Sequence, residues 1–154
     1  MTLTLKIVII EGDQMGYDFT FENNADLTRE QFDACLKRAL TAIGMQAESY
    51  AKQSINQADA IDTGRLINSV TYGTAENAGS HDYSDNEGNH YQDTIGLAEE
   101  DAVYIGSNVE YAPYIEYGWH RGGASYAGVH FLKDAAGNHT AEYKEIIKQS
   151  MENA

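Results

Sequence analysis

The triplet Asp62-Thr63-Gly64 matches the signature of aspartic proteases, in which two Asp side chains share a proton across paired loops of a dimer. In that pattern the triplet follows a hydrophobic strand and precedes a small residue. Here it follows the polar, helical stretch QADAI and precedes Arg65, which would crowd such a dyad and pair with it. A homodimeric aspartic protease is therefore a remote alternative, and inertness towards unfolded protein at acidic pH would eliminate it.

Metal ligands are a second kind of chemistry that the sequence offers. The candidate side chains lie in one polar stretch and are His81, Asp82, Asp85, Glu87, His90 and Asp93. A calcium loop of the D-x-D-x-D-G type fails, because with Gly88 as its glycine the first ligand position falls on Tyr83. A zinc site would need His81 and His90 to be held by a rigid loop, and the surrounding Gly, Asn and Ser do not indicate one. We expect a solvated acidic loop and no metal.

Nucleophilic and nucleotide chemistry have no support in the sequence. The chain lacks a G-x-S-x-G elbow, a Walker loop and a G-x-G-x-x-G turn. Its single cysteine, Cys35, falls on the apolar side of a predicted helix and is expected to be a buried free thiol. We therefore expect no enzyme activity, no catalytic residue and no cofactor.

The formal net charge of −14 is unevenly distributed. Between Leu66 and His120 there is no Lys or Arg, and that segment supplies −10 of the total. Its ten acids are Glu76, Asp82, Asp85, Glu87, Asp93, Glu99, Glu100, Asp101, Glu110 and Glu116. Such a field disfavours direct binding to nucleic acid. An acidic surface is the simplest interpretation, and an acidic protein-binding module or nucleic-acid mimic that occupies a basic groove is the alternative.

The first 22 residues are predicted to form a β-hairpin. Leu3, Leu5, Ile7 and Ile9 alternate with other residues, and a second alternating run follows a turn over 12–16. Residues 23–26 are a predicted linker. The stretch has no basic leader and is not expected to be a signal peptide, and no segment approaches the ~20 apolar residues that span a bilayer.

A long helix is predicted over 28–57. Thr28 and Gln31 have the spacing of a capping box, and Leu27 and Phe32 have that of a hydrophobic staple. The residues that follow at intervals of three or four are Phe32, Leu36, Leu40, Ile43, Ala47, Tyr50 and Ser54. At 1.5 Å per residue this helix is roughly 45 Å long.

Between the long helix and the C-terminal helix, the predicted helices and strands are short. We predict that Asp62 and Thr63 cap a short helix, that strands follow over 69–74 and 101–107, and that a short helix runs from 108 to 117. Segments 77–93 and 119–128 are predicted loops, and the first could also be the tip of a hairpin. A C-terminal helix is predicted over 130–152 from Leu132, Ala136, His139, Tyr143, Ile146 and Ser150. The chain, 1–154, is thus expected to be a single α+β domain, with a mostly antiparallel or mixed sheet packed by the long helix and the C-terminal helix.

Three motifs in this order resemble a known family. They are D-T-G-R-L-x-x-S at 62–69, V-Y-x-G-S-N-V-x-Y-A-P-Y-x-E-x-G at 103–118, and F-L-x-x-A at 131–135. Together, over roughly 28–151, they resemble the tail-component family of long-tailed bacteriophages, which are head–tail joining or tail-completion proteins. The family core would be 61–118. Its motif residues here are Asp62, Thr63, Gly64, Arg65, Leu66, Gly106, Asn108, Tyr111, Pro113, Glu116 and Gly118. The family usually has prolines around the last motif, whereas Pro113 is the only proline in this chain.

The resemblance implies a structural phage or prophage protein of the virion neck or tail, made in the cytoplasm of a bacterial host. Its implied partners are further copies of itself in a ring, six as in the family, together with tail-tube and head-connector proteins. No membrane partner is implied. The expected interface residues are Tyr111, Tyr114, Tyr117, Trp119 and Arg121, because aromatic residues are enriched at interfaces. We expect 77–93 and 119–128 to be mobile in the free protein and ordered on assembly.

Overall fold

A computed structural model describes residues 27–154 in full and, before them, the backbone of two strands, β1 (Thr2–Ile10) and β2 (Met15–Glu22). The strands are antiparallel, with Thr2 opposite Glu22 and Ile9 opposite Met15. The predicted pair of strands is thus confirmed. Most of the predicted turn, and the linker at 23–26, lie outside the described residues.

Four strands form one mixed sheet. Strands β3 (Thr71–Gly73) and β6 (Ala102–Gly106) join the first two in the order β2-β1-β6-β3. Strand β6 runs parallel to β1 and antiparallel to β3. The chain therefore has the α+β fold with a mixed sheet that its sequence predicts.

The long helix α1 (Arg29–Gln57) packs against β6 and β3 and against the C-terminal helices. The capping box is present, since Thr28 Oγ1 accepts from the Gln31 amide at 3.2 Å and Gln31 Oε1 accepts from the Thr28 amide at 3.1 Å. The buried face of α1 consists of Cys35, Leu36, Ala39, Leu40, Ile43, Gly44, Ala47, Ala51 and Ile55. Leu36, Leu40, Ile43 and Ala47 are buried as predicted, whereas Phe32, Tyr50 and Ser54 are only half-buried. The Cys35 thiol is buried as expected.

The predicted C-terminal helix is two helices, so the prediction of a continuous helix over 130–152 was wrong. Helix α4 (Phe131–Gly137) ends at Asn138, and α5 (Thr140–Glu152) begins after His139. Gly137 weakens the helix at this point. The ring of His139 stacks on Tyr50 of α1, with centroids 3.5 Å apart, which fixes the break against the core.

The two predicted loops each contain a strand pair. Strands β4 (His81–Ser84) and β5 (His90–Asp93) form one hairpin. Strands β7 (Gly118–Arg121) and β8 (Ala124–Ala127) form another. The first agrees with the hairpin alternative for that segment, whereas the second was not predicted. Every residue of β8 is exposed, so its sequence has no buried apolar alternation to indicate a strand. The mobility of these segments in the free protein stays a prediction.

Candidate functional site

The first two motifs are in direct contact, and each contains a short helix. Helix α2 (Arg65–Ser69) carries the first motif, and α3 (Ala112–Tyr117) lies in the second. The buried hydroxyls of Ser69 and Ser107 lie 2.6 Å apart. Because Ser69 Oγ donates its single hydrogen to the Leu66 carbonyl at 2.6 Å, it must accept the hydrogen of Ser107. This pair joins the end of α2 to the turn that follows β6.

The Asp-Thr-Gly turn is held by the β4–β5 hairpin. The Asn86 amide donates to the Thr63 carbonyl at 2.5 Å. Gly64 precedes α2 with φ +81°, and a Cβ there would lie 3.0 Å from Asn86 Oδ1. The N-cap residue is thus Gly64, while Thr63 accepts a bond from the first amide of the helix, as predicted for that residue. Thr63 Oγ1 accepts only a long bond, 3.4 Å, from the Arg65 amide.

Arg65 connects three elements. Its Nη1 donates to Glu110 Oε1 at 2.9 Å, and its guanidinium lies 4.4 Å above the centre of the Tyr91 ring. The structure therefore pairs Arg65 with Glu110, which lies within the second motif. Asp62 itself is exposed.

In the β4–β5 hairpin, hydrogen bonds within the hairpin occupy the carboxylate of Asp85, one of the candidate metal ligands. Asp85 Oδ1 accepts from the amides of Glu87 and Asn89 at 3.0 and 2.8 Å, and Asp85 Oδ2 accepts from the Tyr91 hydroxyl at 3.1 Å. The Asn89 side chain also donates to Asp85, and these hydrogen bonds lower the pKa of the Asp85 carboxyl. Among the side chains that the structure describes, no three His, Cys, Asp or Glu come together as a metal-ligand set.

We expect R65A to loosen this hairpin before the rest of the fold. The substitution removes the contact with Tyr91 and the bond to Glu110, worth about 1–2 kcal/mol together since Glu110 is largely exposed. Hydrogen exchange should become faster at 81–93 in R65A and stay unchanged in the exposed control R29A. Unchanged exchange at 81–93 would show that Arg65 does not hold the hairpin.

Glu116 of the second motif is fully buried and caps the last motif. Its Oε2 accepts from the Leu132 amide and its Oε1 from the Lys133 amide, both at 2.9 Å, in the first turn of α4. Burial raises the pKa of Glu116, although the two amide bonds oppose that shift. The carboxyl therefore joins α3 to α4. Sequence reasoning singled out this residue but did not assign the contact, which joins positions 16 residues apart.

The expected interface residues surround one open cleft. Tyr111, Tyr114, Trp119 and Arg121 line it, with a volume of about 480 Å³. Tyr114 is 58% exposed, and Tyr117 lies beside it on the same helix, 45% exposed. The ring of Trp119 stacks on that of Tyr126, with centroids 4.4 Å apart. Four of the five predicted residues thus line one cleft, and Tyr126 lies next to it through its contact with Trp119.

A second, larger cleft adjoins the first. It has a volume of about 560 Å³ and lies between the Asp-Thr-Gly turn and the β4–β5 hairpin. Tyr111 and Ile115 line both clefts, so they share a wall. Its carboxylates include the exposed Asp59, Asp62 and Glu87. We call this second cleft the acidic cleft.

The remaining motif positions support this arrangement. Gly106 ends β6 opposite Thr71, and the Asn108 side chain donates to the Thr94 carbonyl. Pro113 lies in the first turn of α3, where a missing amide hydrogen costs nothing, and Gly118 ends that helix.

Residues 19–118 match the family model of the bacteriophage HK97-gp10 tail component. The chain belongs to this family. The HK97-gp10-like match begins in β2 and ends at Gly118, and it includes α1, the first two motifs and the lining of the acidic cleft. Of the other cleft it includes Tyr111 and Tyr114 but not Trp119 and Arg121. Comparison with curated proteins and with solved structures gave no match. Membership of the HK97-gp10-like family supports a structural role for the chain as a bacteriophage tail component.

No helix in the described part of the chain combines the length and the apolar character needed to cross a bilayer.

Proposed function

We propose that this tail component works at the head–tail junction, where copies of it assemble into a ring, six as the resemblance implied, that completes the tail and joins it to the head. The observation that carries the proposal is the cleft lined by Tyr111, Tyr114, Trp119 and Arg121. Tyr, Trp and Arg are the residues most enriched in the energetic centres of interfaces. The rings of Tyr114 and of Tyr117 on the same helix are exposed, so the subunit's own core does not cover them. Tail-tube and head-connector proteins are the further partners.

The proposed work is binding, and the subunit is not an enzyme. Asp62, the one residue with a catalytic signature, is exposed, and its neighbour Arg65 is occupied by Glu110. The buried carboxyl of Glu116 is occupied by two amide donors. These contacts support a structural role, in which the subunit binds its neighbours through the shape and charge of its surface. The subunit would be made in the bacterial cytoplasm and would act in the neck of the virion.

The acidic segment suits a channel through which DNA passes without adhering. Like charges repel the phosphate backbone, so no direct nucleic-acid contact is expected. The alternative of an acidic mimic has less support, since several of the ten acids serve the fold. Glu76 pairs with Lys37 at 2.5 Å, and Glu110 pairs with Arg65. Capture of a DNA-binding protein, reversed by moderate salt, would favour the mimic.

The test is disruption of the gene in the phage or prophage genome, with the protein supplied in trans. We expect separate DNA-filled heads and tails without the protein, and joined infectious particles when the wild-type chain is supplied. The double variant Y114A/W119A should fail to restore joining. M45A removes an equally exposed side chain, 59%, from α1 and should restore it. Joined, infectious particles in the absence of the protein would refute the proposed function.

A further inference from the structure

The hairpin of β7 and β8, residues 118–127, projects from the subunit as an arm. Every residue of β8 is exposed, and β7 is exposed or half-buried. Outside itself the hairpin contacts α3, and Trp119 and Arg121 line the open cleft together with Tyr114 of that helix. An isolated two-stranded hairpin is marginally stable in water, which suggests that this arm gains a neighbour on assembly.

The arm is preformed to present its tip. Arg121 and Ala124 are paired across a two-residue turn, Gly122-Gly123, in which both φ angles are positive, 57° and 83°. That is the turn whose twist matches a β-hairpin. The stacked rings of Trp119 and Tyr126 stiffen the strands behind it. The arm therefore holds Arg121 beside the turn at its far end.

The charge of the arm differs in sign from that of the rest of the chain, which favours an acidic partner surface. The arm carries Arg121 and no Asp or Glu, so its formal charge is +1 and the rest of the chain has −14 − 1 = −15. His120 adds a further positive charge when protonated. Opposite charges across an interface steer association and set the register of docking. A second copy of this chain offers an acidic surface of that kind in its acidic cleft, with Asp59, Asp62 and Glu87 at the wall.

We propose that the arm of one subunit docks in the acidic cleft of a second copy, with Arg121 facing Glu87 and Asp62. This rests on the proposed function and identifies the surfaces by which copies associate. The contact joins two different surfaces, the arrangement that closes a ring when the rotation between copies allows it. Tyr111 in the cleft wall offers an aromatic ring to the guanidinium or to the rings behind it.

Cross-linking between two differently marked copies tests this directly. One copy carries R121C and the other carries E87C, so a disulfide between the two sites forms only between chains. Both are supplied together to a phage that lacks the gene, and joined particles are purified and analysed on a non-reducing gel, with the linked peptides identified by mass spectrometry. The matched control replaces E87C by E145C, an exposed Glu on α5. Cys35 is buried and contributes a common background.

We expect linkage between R121C and E87C well above the control. Joined particles that contain the protein but show linkage no higher than the control would overturn the arm inference and leave the proposed function intact. Joined particles that lack the protein would overturn the proposed function, and the arm inference with it.

Charge reversal provides an independent measurement. R121E places like charges at the contact and should lower the titre of joined particles by about tenfold or more, as for the loss of one interfacial charge pair. The double variant R121E/E87K restores opposite charges and should recover most of that loss. R29E changes the net charge equally at an exposed site on α1 and should have little effect. A full titre with R121E, or no recovery in the double variant, would contradict the pairing.

Discussion

Removal of the Glu116 carboxyl, in E116A, is expected to destabilise the chain by about 3–5 kcal/mol, because it leaves two amides of α4 without an acceptor and opens a cavity. Each unsatisfied buried amide costs about 1–3 kcal/mol. The residue is 0% exposed, so water does not replace the lost bonds without rearrangement. Urea denaturation followed by circular dichroism measures the change.

The control for E116A is E145A, which truncates an exposed Glu and should alter stability by about 0.5 kcal/mol or less. If E116A were as stable as E145A, the carboxyl would not be what joins α3 to α4.

The same carboxyl gives a pH dependence with a definite sign. Burial raises the pKa of Glu116 above the ordinary value of a Glu side chain, 4.5. Between that value and the raised pKa, the folded chain binds more protons than the unfolded chain, so the free energy of unfolding falls as the pH rises through this window. E116Q cannot titrate. The stability of the wild type relative to E116Q should therefore fall from pH 4.5 upwards. A difference that is constant or rises with pH would contradict the assigned burial.

Gly118 is the second position at which a large loss is expected. Its φ of 83° and ψ of 177° lie in a region that essentially only glycine adopts, at a cost of about 1–3 kcal/mol for other residues. A Cβ would also lie 2.7 Å from the Gly128 nitrogen and closer still to the Tyr126 carbonyl oxygen. G118A should therefore destabilise the base of the arm by about 3 kcal/mol or more.

Gly123 is the matched control for Gly118. It has the same φ, 83°, but a Cβ there meets no atom within 4 Å. G123A should therefore cost only the conformational term, about 1–2 kcal/mol. Trp119 is the only tryptophan and lies in the arm, so its fluorescence reports the arm while circular dichroism reports the whole fold. Equal losses in the two variants would show that the close approach at Gly118 does not matter.

The parts of the fold that follow from local rules are visible in the sequence. The capping box at Thr28 and the apolar period of α1 both appear in the structure as predicted. The order of strands is less accessible, since the parallel pairing of β1 with β6 joins residues about 95 positions apart, as in Ile7 with Val103. Local pattern carries no information on which distant strands become neighbours.

Some residues of the candidate site could be predicted from the sequence, and others could not. Residue types pointed to Tyr111, Tyr114, Trp119 and Arg121, and the cleft brings these together. The arm was missed although Gly122-Gly123 between short runs of alternating residues is a hairpin signal. The cap by Glu116 and the Ser69–Ser107 pair have no local signature, because each joins segments that meet only through tertiary packing.

The most direct test of a role at the head–tail junction is immunogold electron microscopy on a lysate of the source bacterium after prophage induction, with antibody against this chain. We predict gold at the neck of tailed particles, and no gold there on particles from a strain in which the gene is deleted. Intact particles without label, in a lysate that contains the protein, would contradict the proposed position.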